Sequence, residues 1–106
     1  MEEQANLEVI MDLIMYGGDA KSNAMEAIQA AKDKNFELAE TKILAAEAAL
    51  VKAHHSQTDM LVQESNGNSV TVTLLMVHGQ DHLMTSMAFT DLAKEIIEVY
   101  KRIDLK

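Results

Sequence analysis

Apolar residues recur at helical spacing along most of the chain. From about Leu7 to Lys32 they return every three or four positions, the spacing that puts side chains on one face of a helix. The adjacent pair Gly17-Gly18 interrupts this pattern, and each glycine costs about 1 kcal/mol relative to alanine inside a helix. The sequence therefore predicts a first helix with a kink or a short break at the two glycines.

A second helical pattern begins at Phe36, with Asn35 as its predicted N-cap. Its inward-facing residues form a heptad seam in which alanine allows neighbouring helices to approach closely. The pattern ends at a polar loop from Ser65 to Ser69. The seam consists of Phe36, Ile43, Leu50 and Gln57 at one heptad position and Ala39, Ala46, Ala53 and Met60 at the next.

A third helix is predicted to run to about Asp104. It is preceded by the β-branched segment Val70 to Thr73, which suits a strand, but a single strand would have no partner. We therefore interpret this segment as the approach to the helix. Three helices of about thirty residues joined by short turns predict an all-α fold, an antiparallel up-down-up three-helix bundle. Residues 1–106 are expected to form one domain.

The stretch from Val70 to Phe89 is apolar except in its middle, where the sequence reads HGQDH. At about 100° per residue, His78, Asp81 and His82 share a helix face with leucine residues, and the opposite face is apolar as well. We expect the first of these faces to be buried, because a helix that is apolar nearly all round needs cover on more than one side. A three-helix bundle hides only one stripe per helix, so the sequence predicts a homo-oligomer packed around its third helices.

The chain carries a net charge of -8 and contains no cysteine. The negative charge argues against binding to nucleic acid or to anionic membrane surfaces. The absence of cysteine excludes disulfides, thiolate metal sites and cysteine nucleophiles. The acidic amino terminus lacks the features of a signal peptide, and the polar residues inside the apolar stretch argue against membrane insertion. We expect a cytoplasmic protein.

The two histidines of HGQDH have several interpretations. Imidazole groups on an apolar face are costly unless hydrogen-bonded, paired or metal-bound. His78 and His82 lie one turn apart and can chelate a metal, whereas Asp81 points about 100° away from His82. The glutamate of the HExxH motif is missing, so a zinc peptidase would lack its general base. A structural role and a reactive role for His78 both stay open on this basis.

Polar or small residues elsewhere also allow two interpretations. Gly79 serves either close packing or access of a partner to His78. Gln57 lies in the second helix at a seam position, and His54 lies one turn before it. These two belong either to an ordinary buried polar network or to the site. His55 is expected to face solvent.

Three motifs together resemble one protein family. They are MYGGDAKSNAMEA from Met15, AHHSQTDML from Ala53 and VHGQDHLMTSM from Val77. They resemble the enzyme IIA component of the lactose/cellobiose class of the phosphoenolpyruvate-dependent sugar phosphotransferase system, and the resemblance extends over practically the whole chain. It implies a homotrimer in which His78 accepts a phosphoryl group from the phosphocarrier protein HPr and passes it to a cysteine of the IIB component. It also implies that Asp81 lies on the threefold axis and binds a divalent cation such as magnesium.

An imidazole suits the role that the resemblance implies. Its neutral nitrogen attacks phosphorus without first losing a proton, and the protein contributes mainly position and charge stabilisation. Gln80 and His82 are candidates for supporting the phosphoryl group. Two other functions stay open, a histidine phosphotransfer module of two-component signalling and a non-catalytic helical assembly protein whose histidines bind metal. For the sugar we expect a β-linked disaccharide, cellobiose or a related β-glucoside ahead of lactose or chitobiose.

Overall fold

A computed structural model describes residues 2–105, with side chains from residue 6 onward. It contains three α-helices, α1 (Glu2–Lys32), α2 (Phe36–Ser65) and α3 (Leu74–Asp104), and the described residues include no strand. The helices form a rod of 57 × 20 × 19 Å. The predicted three-helix bundle is confirmed, and the segment before α3 is not a strand.

Each inter-helix turn has a residue in the left-handed conformation, two positions after the preceding helix ends. Lys34 has φ 63° at the end of α1, and Gly67 has φ 90° at the end of α2. After α1, the Asn35 N–H donates to the Ala30 carbonyl at 2.9 Å and the Lys34 N–H to the Ala31 carbonyl at 3.0 Å. These two bonds form a Schellman motif, which satisfies the last carbonyls of a helix.

A capping side chain starts each of the two helices that follow the turns. The Asn35 side chain accepts a hydrogen bond from the Leu38 N–H at 3.2 Å, so the predicted N-cap of α2 is confirmed. Thr73 does the same for α3, where its hydroxyl accepts from the Met76 N–H at 3.1 Å. Such caps satisfy backbone donors that have no partner inside the helix.

α1 is the central element, packing against both other helices, while α2 and α3 touch each other less. The contacts between α1 and α3 run in the same direction along both helices. Gly79 lies against Ile10, and the later residue His82 lies against the later residue Gly17, so α1 and α3 are parallel. The short turn after α1 reverses the chain, which makes α2 antiparallel. The seam predicted for α2 faces the interior, with five of its members buried: Ala39, Ile43, Ala46, Ala53 and Met60.

The predicted break in α1 is wrong, and the burial predicted for one face of α3 does not arise within a single chain. α1 runs without a break through Gly17-Gly18, and Gly17 serves the packing of α1 on α3. The face of α3 that carries His78 and Asp81 is not buried within the bundle, since both residues are exposed. The face of α3 that is buried within the bundle includes Gly79, Ser86 and Ala93, small residues that let α1 approach closely. Its buried residues are Met76, Gly79, Leu83, Ser86, Thr90, Ala93 and Ile97.

Candidate functional site

His78 and His82 form a contacting pair on α3. Their Nε2 atoms are 3.1 Å apart, and the ring centroids are 4.4 Å apart with the rings at 84° to each other. His78 is exposed, and His82 is half-buried. When both rings are neutral, the Nε2–H of one ring donates a hydrogen bond to the unprotonated Nε2 of the other, so the contact couples the tautomers of the two rings. The pair therefore offers a nucleophilic nitrogen beside a proton donor, at a surface that a partner can reach.

The backbone of His82 is fixed by a close approach of α1. A Cβ atom added at Gly17 would lie 3.0 Å from the backbone carbon and oxygen of His82. One turn further along α3, the buried Ser86 hydroxyl donates a 2.7 Å hydrogen bond to the Gly17 carbonyl. Gly17 and Ser86 thus hold the histidine helix against α1. Sequence reasoning missed this role, although the double glycine inside a helix was the available signal.

Gly79 is also a packing residue. It is buried, and an added Cβ would lie 3.3 Å from the Ile10 side chain and 3.5 Å from the Leu13 side chain. Of the two interpretations left open by the sequence, close packing is the one that the structure supports. The glycine lets α3 lie on α1 one residue after His78.

Gln80 pairs with Gln57 across the α2–α3 contact. The Gln57 Nε2 donates to the Gln80 Oε1 at 2.6 Å and lies 3.9 Å from the Met84 sulfur. Gln80 is two residues from His78, so it points about 160° away from it around the helix. Gln57 therefore belongs to a half-buried polar pair that does not include the histidine pair of its own chain.

Asp81, His54 and His55 are all exposed. Among the side chains of residues 6–105, no group of three or more His, Asp or Glu is placed to hold a metal ion. The Asp81 carboxylate has the hard oxygen donors that suit magnesium, but one chain supplies a single carboxylate at that point. A magnesium site there would need Asp81 from more than one chain.

Positive charge is confined to one half of the rod. Residues 2–20 and 53–93, the acidic half, contain nine Asp and Glu and no Lys or Arg. Residues 21–52 and 94–105, the mixed half, contain eight Lys and Arg together with eight Asp and Glu. The histidine pair lies in the acidic half. A basic partner surface is therefore attracted to the end that presents His78.

Comparison with known proteins assigns the family. Residues 8–101 match the family model of the lactose/cellobiose-specific IIA subunit of the phosphotransferase system. The chain belongs to this family. Its members are phosphotransferase relay components, which favours this activity over the two alternatives left open by the sequence. None of the helices in the described part of the chain carries an apolar stretch that could span a bilayer.

Relatives of this IIA protein are named as specific for different sugars. The chain is 48% identical to the lichenan-specific IIA component of Bacillus subtilis, an alignment that covers 91% of this chain and 87% of the relative. It is 43% identical to the lactose-specific component of Staphylococcus epidermidis, with 86% and 88% covered. These sequences establish the family while differing in the sugar that they name.

Solved structures share the fold of this IIA protein. The cellobiose-specific enzyme IIA of Bacillus anthracis has a TM-score of 0.92 at 36% identity, with 93% of this chain and 91% of that chain covered. The chitobiose IIA of Escherichia coli, solved in complex with HPr, has a TM-score of 0.80 at 36% identity, with 92% and 94% covered.

Proposed function

We propose that this IIA protein carries a phosphoryl group on His78 Nε2, receiving it from HPr and passing it to a cysteine of the IIB component. In the first step the nitrogen lone pair forms a bond to phosphorus while the bond between phosphorus and its donor breaks, and the donor keeps that electron pair. In the second step the cysteine thiolate forms the new bond to phosphorus and His78 recovers its lone pair. The observation that carries the proposal is the exposed His78 ring in contact with His82.

His82 is the nearest support for the reaction. Its Nε2 lies 3.1 Å from that of His78, so it can fix the tautomer of the nucleophile or donate a hydrogen bond to a phosphoryl oxygen. Gln80 is held by Gln57, and it reaches a phosphoryl group only on a neighbouring chain. His82 therefore supports the phosphoryl group of its own chain, and Gln80 supports that of a neighbouring chain.

HPr is the proposed donor because a related IIA protein forms a complex with it. The acidic half of this chain adds a physical reason, since negative charge around His78 attracts a basic docking face. The acceptor is the IIB component of the same system. These exchanges take place in the cytoplasm.

The working assembly is a homotrimer with α3 at its centre. Apolar side chains lie on the exposed side of α3 that also bears Asp81, including Leu74 at 86% exposure and Leu92 at 59%. Burial of this stripe against two further copies would remove apolar area from water. Copies of Asp81 near the axis would repel one another unless a divalent cation lies between them. Magnesium is the proposed cation because it prefers hard oxygen donors.

Phosphoryl transfer from phosphoenolpyruvate through enzyme I and HPr tests the proposal directly. The wild-type chain is expected to gain one acid-labile phosphoryl group, and His78→Gln is expected to gain none. His55→Gln is the matched control because it changes an exposed histidine in α2. Label that survives in His78→Gln, or is absent from the wild type, overturns the assignment.

The proposed sugar is a β-linked disaccharide of the cellobiose or β-glucoside type. The support is the similarity to the lichenan-specific and cellobiose-specific relatives, set against the lactose-specific ones. Transfer from the phosphorylated chain to purified IIB components of cellobiose and lactose systems compares the two. A faster transfer to the cellobiose IIB is expected, and a faster transfer to the lactose IIB contradicts the choice of sugar without affecting His78.

A further inference from the structure

We infer that His78 and His82 form a two-nitrogen site for a borderline divalent ion such as Zn²⁺, and that the bound ion competes with the phosphoryl group for His78. The observation is the 3.1 Å separation of the two Nε2 atoms. Zinc binds histidine nitrogen at about 2.0–2.1 Å, so coordination angles of 90–109° require nitrogen atoms about 2.9–3.4 Å apart. The pair already has the spacing of a chelate.

The rings need little change to bind the ion. The His78 ring is exposed, so it can rotate. A small rotation directs the Nε2 lone pairs of both rings at one metal ion instead of at each other. In the neutral pair one ring holds its proton on Nε2, and moving that proton to Nδ1 leaves both Nε2 atoms free as ligands without net loss of a proton. Water fills the remaining coordination positions at this open surface.

The ligand type selects the metal. Imidazole nitrogen suits zinc, copper and nickel, whereas magnesium prefers carboxylate and water oxygen. The chain has no cysteine that could bind zinc more tightly. The negative charge of the acidic half favours any cation at this end of the rod. The inferred site is therefore distinct from the proposed magnesium site at Asp81, which points away from His82 around the helix.

The bound ion would block phosphoryl transfer. Coordination occupies the Nε2 lone pair of His78, the electron pair that the proposed reaction uses to attack phosphorus. It also removes His82 from its supporting role. Metal binding itself does not depend on the phosphocarrier function, but the competition rests on that proposed function.

Zinc titration of the metal-free protein, in buffer containing magnesium, tests the binding. Calorimetry is expected to show one zinc site per chain, and the NMR signals of the His78 and His82 rings are expected to shift. Either His78→Gln or His82→Gln should weaken binding at least about tenfold, the lower range seen even for outer-shell partners of metal sites. Circular dichroism checks that each variant remains helical.

His55→Gln is the control for binding elsewhere, because His55 and the exposed Asp59 lie one turn apart on α2. It should leave the zinc affinity unchanged. Binding that is lost in His55→Gln, that is unaffected in both α3 variants, or that is absent from the wild type overturns the inference.

The competition is measured with preformed phospho-HPr, so that enzyme I is not exposed to zinc. The rate of transfer to the wild type should fall as the fraction of zinc-loaded protein rises, by at least about tenfold at saturation. A chelator should restore the rate. In His82→Gln the ratio of rates with and without zinc should stay near one, whatever the rate itself. Undiminished transfer to zinc-loaded protein refutes the competition, whereas no transfer without zinc refutes the proposed function and leaves the binding result standing.

Discussion

The two halves of the rod are built differently. The core of the mixed half consists mostly of alanine, with Ile28, Ile43 and Ile97 as its larger buried members, and all four ion pairs found among the described residues lie there. The core of the acidic half contains larger side chains such as Leu13 and Leu83. This half also carries the histidine pair and the exposed apolar stripe of α3. The mixed half nearly balances its positive and negative charges within the chain, and the acidic half leaves negative charge and apolar surface for partners.

The largest effect on stability is expected at the glycine that packs on His82. Gly17→Ala would place Cβ 3.0 Å from backbone atoms of His82, and overpacking of this kind costs about 1–3 kcal/mol. After the gain in helix propensity of about 1 kcal/mol, we expect a net loss of up to about 2 kcal/mol in urea unfolding, together with slower phosphoryl transfer. Gly18→Ala is the control, because nothing lies within 4 Å of its added Cβ. It should stabilise the protein by about 1 kcal/mol, and equal effects of the two changes would contradict the packing role.

A smaller effect is expected from the turns at opposite ends of the rod. Lys34 adopts a left-handed conformation that glycine accepts more readily, so Lys34→Gly should stabilise the protein by about 1 kcal/mol. Gly67→Ala in the acidic half should destabilise it by a similar amount, about 1 kcal/mol, since Gly67 has φ 90°. Thermal unfolding measures the change in stability of both variants. Changes of the same sign would show that backbone conformation does not dominate the stability at these turns.

The smallest effect is expected from an ion pair of the mixed half. The hydrogen bond that Lys94 donates to the Glu47 carboxylate raises the pKa of Lys94, and burial opposes this only in part. A raised lysine pKa stabilises the fold at neutral pH, and this contribution is lost as the pH rises through that pKa. Glu47→Gln should therefore cost about 0.5 kcal/mol at pH 7, with the difference from wild type shrinking above about pH 10.4.

Glu98→Gln is the control for this pair, because Glu98 binds the neighbouring Lys101 within the same helix at 3.3 Å. It should change the free energy of unfolding by less than Glu47→Gln does. A loss at Glu47 that persists unchanged at alkaline pH would mean that packing, and not charge, is the source of the effect.

Local chemistry made much of the fold predictable. The N-cap at Asn35 and the alanine seam of α2 are properties of short sequence segments, and the structure has both. The break at Gly17-Gly18 was wrong because propensity counts only the cost of glycine in a helix. It contains no information on a neighbouring helix that needs the space.

The candidate site was predictable where it lies within one helix. The contact of His78 with His82 follows from their spacing of four residues. The pairing of Gln57 with Gln80 depends on the register between α2 and α3, which the sequence pattern does not give. The buried face of α3 could not be chosen from periodicity either, because both of its faces are apolar.

The uneven placement of lysine and arginine gives each chain a permanent electric dipole along its long axis. Parallel rods in the proposed trimer would have these dipoles side by side, an arrangement that opposes assembly, whereas contact along α3 favours it. A divalent ion among the Asp81 copies would lie where like charges crowd together most. Dilute buffer stripped of divalent ions is then the condition in which the proposed trimer should dissociate first. Under this proposal, the ionic composition of the cell would help to set how many chains act together.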